Sequence, residues 1–311
     1  MKNLVAGICA VAAVFTVACK KNKTAGPPPP ELSVTLVDPG EEPRAPLLYA
    51  IAANTTMRSL LEVHDIEAEA DRSEEAEDAF GVMPGVKLLL DVGPTVSLSN
   101  GTRYILRIAN AESVLPDGIS ARQIEEVEEG VRMLRGMRGR FDVNRQGVVV
   151  DADVPWEEGQ QRIHPRVTIM IGNLRSAIAT IPLPNEPVGI GGTWEVRRSL
   201  RIWSAWVTQV TRYQLTDRVG DRFRVAITVE QKAAPQTADL NPKLEMKVHS
   251  YQMRARGHAL ADLGLPLALE AQLESDSAAE IALVSPEKTE PLTSVRRSVL
   301  RLVSQSERQM D

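Results

Sequence analysis

Apolar and polar residues alternate with a period of two in stretch after stretch of this 311-residue chain. That period constrains the fold more than any other feature. Successive side chains of an extended strand point to opposite faces, so alternation marks a strand with one face buried and one face wet. Val86, Leu88, Leu90 and Val92 alternate with Lys87, Leu89 and Asp91. Phe223, Val225, Ile227 and Val229 alternate with Arg224, Ala226 and Thr228, after a turn at Gly220-Asp221. Leu267, Leu269, Ala271 and Leu273 repeat the pattern. Residues 96–99 and 102–108 flank Asn100-Gly101. Both of these residues tolerate positive φ, which predicts a hairpin with a type I′ turn. Residues 139–154 read as another hairpin. Weaker alternation predicts strands over 47–53, 57–68, 194–202, 206–216 and 244–256. Over 294–304 a strand reading competes with a helical one and is preferred.

Two segments break the alternation. Ile124, Val127, Val131 and Leu134 recur at helical spacing, with acidic residues opposite. Ser120 is placed to cap that helix, Gln123 to complete a capping box, and Arg132, Arg135 and Arg138 to sit at its negative end. A second helix is expected over 165–180, with Val167, Met170, Ile171, Leu174 and Ile178 on its apolar stripe. Pro165 suits its first turn, and Pro182 and Pro184 forbid its continuation. Strands before and after a pair of helices argue for an α+β, β-rich fold. The expected architecture is a strongly curved antiparallel sheet, either one sheet or two related halves. Two amphipathic helices, over about 120–137 and 165–180, lie on its concave face.

The formal net charge is −5, with arginines and acids interspersed. No basic stripe suggests nucleic acid. Aromatic residues are 4% of the chain, which argues against base-stacking platforms and ring-paved sugar clefts.

The only cysteines are Cys9 and Cys19. Met1-Lys2-Asn3 followed by an apolar run to Ala18 is shorter than the ~20 residues of a spanning helix. Its end, Thr16-Val17-Ala18-Cys19, resembles the lipobox of bacterial lipoproteins. Thr16 departs from the larger aliphatic usual there. The resemblance implies cleavage before Cys19, loss of Cys9, and acylation of the Cys19 thiol, palmitate included. No disulfide then remains, and the fold rests on its own core. Lys20, in place of the Asp that retains lipoproteins in the inner membrane, implies an outer-membrane address facing the periplasm or the cell surface. The expected organisation is a signal peptide over 1–18, a Lys/Pro-rich lipidated tether over 19–31 and a β-rich globular domain over 32–311. Pro27 to Pro30 stiffen the tether at about 3.1 Å per residue.

The most distinctive local sequence runs from Pro184 to Trp194, with Pro187, Val188, Gly191 and Trp194 in a P-x-x-P-V-x-x-G-x-x-W pattern. Together with Phe141-Asp142, Gly147 and Val149, it resembles a family of bacterial exported proteins and lipoproteins known only as a domain of unknown function. The resemblance implies a β-rich exported domain and carries over no catalytic residue. The glycines do not suit phosphate, because a helix precedes them and a strand follows. Trp194 is expected to open the next strand and pack beneath the turn.

Chemistry-bearing residues are dispersed. His64, His164, His249 and His258 lack ligand spacing. The acidic run from Glu67 to Asp78 lacks the pattern of a calcium hand and reads as a solvated loop. No G-x-S-x-G elbow occurs. No metal or cofactor is expected. The reading is a non-enzymatic, membrane-anchored cell-envelope lipoprotein that holds an apolar ligand, or a hydrophobic segment of an envelope partner. Candidate contacts are Val167, Met170, Ile171, Leu174, Ile178, Trp203 and Trp206. The alternatives are a structural module with a solid core, or a hydrolase.

Overall fold

The computed structural model describes residues 32–71, 85–115, 121–153, 180–202, 205–241, 244–286 and 288–307. It is mostly β. The first half carries β1 (Ser33–Asp38), β2 (Thr56–Asp71), β3 (Gly85–Val92), β4 (Val96–Leu98), β5 (Gly101–Val114), helix α1 (Ala121–Arg132), β6 (Arg138–Asn144) and β7 (Val149–Asp153). The second carries β8 (Thr193–Ile202), β9 (Ala205–Val219), β10 (Arg222–Ala233), β11 (Gln236–Asn241), β12 (Leu244–Asp262), β13 (Glu270–Val284) and β14 (Thr289–Glu307).

All fourteen strands join one antiparallel sheet, in the order β1-β8-β9-β10-β12-β13-β14-β2-β3-β5-β6-β7, with β11 on β12 and β4 on β5. The two halves of the sequence are therefore not two sheets. The β14–β2 ladder, from Thr293↔Asp71 to Glu307↔Thr56, fuses the last strand to the second. Nor is the sheet strongly curled. Its end strands β1 and β7 do not pair, and irregular chain links their ends instead. Tyr49 N donates to Arg145 O at 2.8 Å, Leu183 N to Gln146 O at 2.7 Å, and Trp194 Nε1 to Pro182 O at 2.8 Å. Irregular segments supply the cover that rolling the sheet on itself would otherwise provide.

One face of the sheet, termed inner here, carries the core. Around β2, β3, β5 and β6 it gathers Leu61, Leu88, Leu90, Tyr104, Ile108 and Phe141, with Val127 and Val131 of α1 and Leu134 of the turn after it. Around β8 to β12 it gathers Trp194, Leu215, Phe223 and Val225, covered by Leu47, Tyr49 and Leu183. Both clusters touch Ala268 and Ala271. A third, smaller cluster at the other strand ends holds Met246, Val248, Ile281 and Leu292. The outer face carries cross-strand charge rows, such as Glu230↔Arg254↔Asp276↔Arg297 on β10, β12, β13 and β14. Opposite charges facing one another across strands suit a water face.

Several expectations are corrected. Residues 47–53 form no strand, although Leu47, Tyr49 and Ile51 are buried in alternation. Their extended backbone crosses loop ends, making single bonds to Arg145 and Leu263 in place of a ladder. Leu267 and Leu269 likewise belong to the β12–β13 connection, and β13 starts at Glu270. The hairpin turn is Ser99-Asn100, one residue earlier than expected, since Leu98 pairs Gly101. Gly101 opens β5 at φ 149°, where a Cβ would overlap the Val143 carbonyl of β6. Close approach of β6, rather than a type I′ turn, explains that glycine. Helix α1 ends earlier than 137. Gly136, at φ 82°, turns the chain away, and Arg135 donates to the Ala111 carbonyl instead of sitting at the helix dipole. Arg138 already lies in β6. The start of the acidic run belongs to β2, which continues to Asp71. Residues 294–304 are strand, within β14. The helix expected over 165–180 falls outside the described residues except for Thr180, and Ser120 lies outside them as well.

Candidate functional site

On an apolar inner face the informative residues are the polar ones. β10 points Phe223, Val225, Ile227 and Val229 inward, and the next inward position is Gln231. β9 points Leu215 and Tyr213 inward, then Thr211 and Gln209. β14 points Leu302 and Leu300 inward, then Ser298, Arg296 and Ser294. The register lines these interruptions up. Arg198↔Gln209↔Gln231↔Met253↔Ser277↔Arg296 are successive directly opposed partners across β8, β9, β10, β12, β13 and β14. Directly opposed residues share a face, so these six side chains form one row. Five strand spacings separate its ends, about 24 Å along the sheet. The neighbouring row adds Thr211, Ser275, Ser298 and Asp65. Apolar residues flank the band on both sides: Tyr213, Ile227, Leu273 and Leu300 on one, Leu200, Val207 and Ala233 on the other.

Two hydrogen-bonded groups occupy the ends of the band. At the β8–β12 end, Tyr251 OH donates to Gln231 Oε1 at 2.9 Å. Gln231 Nε2 donates to Gln209 Oε1 at 2.8 Å, and Gln209 Nε2 to Thr211 Oγ1 at 2.9 Å. Arg198 lies beside the same Gln209 amide. With that amide turned over, its oxygen accepts from Arg198 Nη2 at 2.9 Å and from Thr211 Oγ1 at 2.9 Å. The turned form gives the guanidinium an acceptor, and it is the better assignment provided Gln231 turns with it, so that donors and acceptors still alternate. Gln209 and Gln231 are 5% and 6% exposed, so each amide needs these partners. Burial pushes the Tyr251 and Tyr213 hydroxyls up to about 12, with the Arg198 charge opposing the rise at Tyr213. Both phenols are neutral at physiological pH.

At the β14–β2 end, Asp65 Oδ1 accepts from Ser298 Oγ at 2.5 Å and Asp65 Oδ2 from Arg296 Nη1 at 3.4 Å. Arg296 Nε also donates to Ser294 Oγ at 3.2 Å. Burial pushes the Asp65 carboxyl above its ordinary range, while Ser298 and then Arg296 pull the other way. Desolvation prevails because the pair lies on the covered face.

Beyond the band, an apolar recess of about 10 Å³ is lined by Ile202, Ala205, Val207, Met246, Val248 and Ile281, with Ala233 and Tyr251 beside them. That volume is about one water molecule. Tyr251 belongs to both the recess and the polar group. Of the contacts expected from sequence, Trp206 lies on β9 between Ala205 and Val207, both of which line the recess, so its ring faces the opposite side. Its backbone N–H donates to Gln236 Oε1 at 2.8 Å. Val167, Met170, Ile171, Leu174, Ile178, Trp203 and Cys19 fall outside the described residues.

The segment from Pro184 to Trp194 is tied down at several points. Val188 bridges to Ala45, Gly189 N donates to Pro39 O at 2.8 Å, and Trp194 is fully buried under Pro182. Trp194 also stacks on Tyr213, with ring centroids 5.5 Å apart. The signature is thus a clasp between β1, β8 and the inner face. Known protein families and curated proteins offer no match to this chain.

Proposed function

We propose that the protein is a non-enzymatic lipoprotein of the cell envelope, anchored through Cys19, which binds an apolar ligand or a hydrophobic segment of an envelope partner against the inner face of its sheet. The observation that carries this reading is the banded inner face, where buried apolar rows border a polar row of hydrogen-bonded amides, hydroxyls and arginines. Ligand sites are mostly apolar surfaces with a few fixed polar groups. In the band Ser298 Oγ donates to Asp65 Oδ1 while Arg296 holds the other carboxylate oxygen, a tied-down arrangement that favours binding over hydrolysis. Val167, Met170, Ile171, Leu174 and Ile178 remain candidate contacts on sequence pattern alone. The lipobox-like Thr16-Val17-Ala18-Cys19 supports the anchor, and Lys20 supports the outer-membrane address. The clasp from Pro184 to Trp194 supports kinship with the exported family of the P-x-x-P-V signature.

A second reading, an interaction module with a solid core, draws on this one recess, whose volume of about 10 Å³ admits no acyl chain. Mass spectrometry of lipids extracted from the purified full-length protein separates the two. Stoichiometric lipid beyond the covalent anchor supports binding, and none recovered supports the solid module. For the anchor, Cys19→Ser is expected to abolish labelling by radioactive palmitate and to release the protein from vesicle pellets. Unchanged mass and unchanged pelleting would refute it.

A further inference from the structure

Where the first strand enters the sheet bears on which surface meets the membrane, an inference that rests on the Cys19 anchor. β1 lies antiparallel on β8, with Ser33 opposite Arg197 and Leu36 opposite Trp194. The chain therefore arrives at Ser33 from the side of the β8–β9 hairpin tip, where Ile202 pairs Ala205. Ile202 lies five residues beyond Arg197, about 17 Å along the strand. Ser33 follows Cys19 by 14 residues. At the polyproline rise those residues span about 43 Å, and Pro27 to Pro30 stiffen them. The tether thus clears the hairpin tip without doubling back. The opposite end of the hairpin, at Val219, lies the length of β9 away, about 50 Å. To be anchored by that end, the tether would have to reverse just before Ser33.

The tip is apolar. Ile202, Ala205 and Val207 line the small recess, and Trp206 between them is half-buried on the other face. Both backbone groups of Trp206 are held by one side chain: its N–H donates to Gln236 Oε1, and Gln236 Nε2 donates to its carbonyl, each at 2.8 Å. That clamp fixes the β10–β11 turn beside the tip, and Ala234 and Pro235 of the turn are exposed. An indole combines an apolar ring with one N–H donor, which suits the layer of lipid head groups.

We propose that the β8–β9 tip, with Trp206 and the Ala234-Pro235 turn, is the surface that rests on the phospholipid membrane holding the Cys19 anchor. The recess lies behind the same tip, so this orientation brings the apolar recess next to lipid.

The test uses acylated full-length protein in phosphatidylcholine vesicles, part of whose lipid carries a nitroxide on the head group. With Cys19 blocked and Cys9 removed with the signal, an introduced cysteine is the one free thiol. Ala234→Cys and Val219→Cys each carry a fluorophore; Val219 is 74% exposed. Because about 50 Å of strand separates the two ends, the label at 234 should lose more than about half of its emission and the label at 219 less than about a tenth. Trp206→Ser, which keeps both backbone bonds to Gln236, should reduce quenching at 234 at least about twofold. Thermal melts establish that the variants compared are equally stable. Quenching at 219 instead of 234, equal quenching at both, or none at either while the protein floats with the vesicles overturns the orientation and leaves the anchor standing. Unchanged quenching in Trp206→Ser overturns the part assigned to the indole. If the protein does not float with the vesicles at all, the anchor reading itself falls.

Discussion

The two faces of the sheet use the same chemical pair to opposite effect. On the outer face, Arg103 grips Asp142 with two bonds, Nε to Oδ1 at 2.7 Å and Nη2 to Oδ2 at 2.6 Å. The arginine holds the Asp142 carboxyl below its ordinary range, with burial opposing it. On the inner face, Arg296 reaches Asp65 at 3.4 Å, and burial there drives the carboxyl up. The two carboxylates expose nearly the same small fraction of their side chains, 10% and 12%. What differs is the cover. Asp142 is hidden by one charged side chain at the edge of water, whereas Asp65 is hidden by the body of the protein. Contact with solvent is a poor guide to desolvation, because the surrounding medium reaches well beyond the first layer of atoms.

Adjacent leucines of β2 put the contrast to its largest test. Leu61 points inward at 0% exposure and Leu60 outward at 37%. Leu61→Ala is expected to cost about 3–4 kcal/mol in urea unfolding, through lost transfer energy and a cavity, and Leu60→Ala under about 0.5 kcal/mol. Equal costs would mean that both faces are covered.

The ion pairs come next. Arg296→Met leaves Asp65 without its charged partner on the covered face and should cost about 2–3 kcal/mol at neutral pH. Arg103→Met, on the wet face, should cost about 0.5–1 kcal/mol. A larger loss for Arg103 would reverse the assignment of the faces.

A smaller and more discriminating effect is the pH dependence. Because the native Asp65 carboxyl titrates above its unfolded value, its ionisation opposes folding at neutral pH, and that cost is relieved as pH falls through the raised native value. Wild type should therefore gain stability relative to Asp65→Asn on acidification. Glu195, held down first by Arg212 and then by Arg197, has the opposite sign. Its contribution is present above the unfolded value and is lost as pH falls through the lowered native one, so wild type should lose ground to Glu195→Gln. Urea melts across the acid range read both slopes, and slopes of the same sign would break the comparison. The smallest effect belongs to Arg254 in the exposed charge rows, where Arg254→Ala should change stability by no more than about 0.5 kcal/mol.

Much of the fold was legible because strand parity is local. The alternation in β3 and β10 assigns inward and outward residues correctly without any knowledge of partners. Val127 and Val131 likewise announce the buried side of α1. Alternation misled at Leu47, Tyr49 and Ile51, where an extended segment buries every second residue without a ladder. The candidate site carried a faint signal, a polar residue at inward parity in an apolar strand, as at Gln231 after Val229 or Arg296 before Leu300. Read singly, each looks like a strand end.

By itself the sequence determined most of the strand segments, which side of most of them is apolar, and the amphipathic helix that carries Val127 and Val131, because each property is written within a few consecutive residues. Tertiary structure alone decided that Ser59 and Ser304, 245 residues apart, share a hydrogen bond, and that Arg198, Gln231 and Arg296 stand in one row. Register between distant strands depends on which ladders can coexist in one sheet. Alternation constrains it only to parity, and the choice among permitted partners belongs to the packing of the whole.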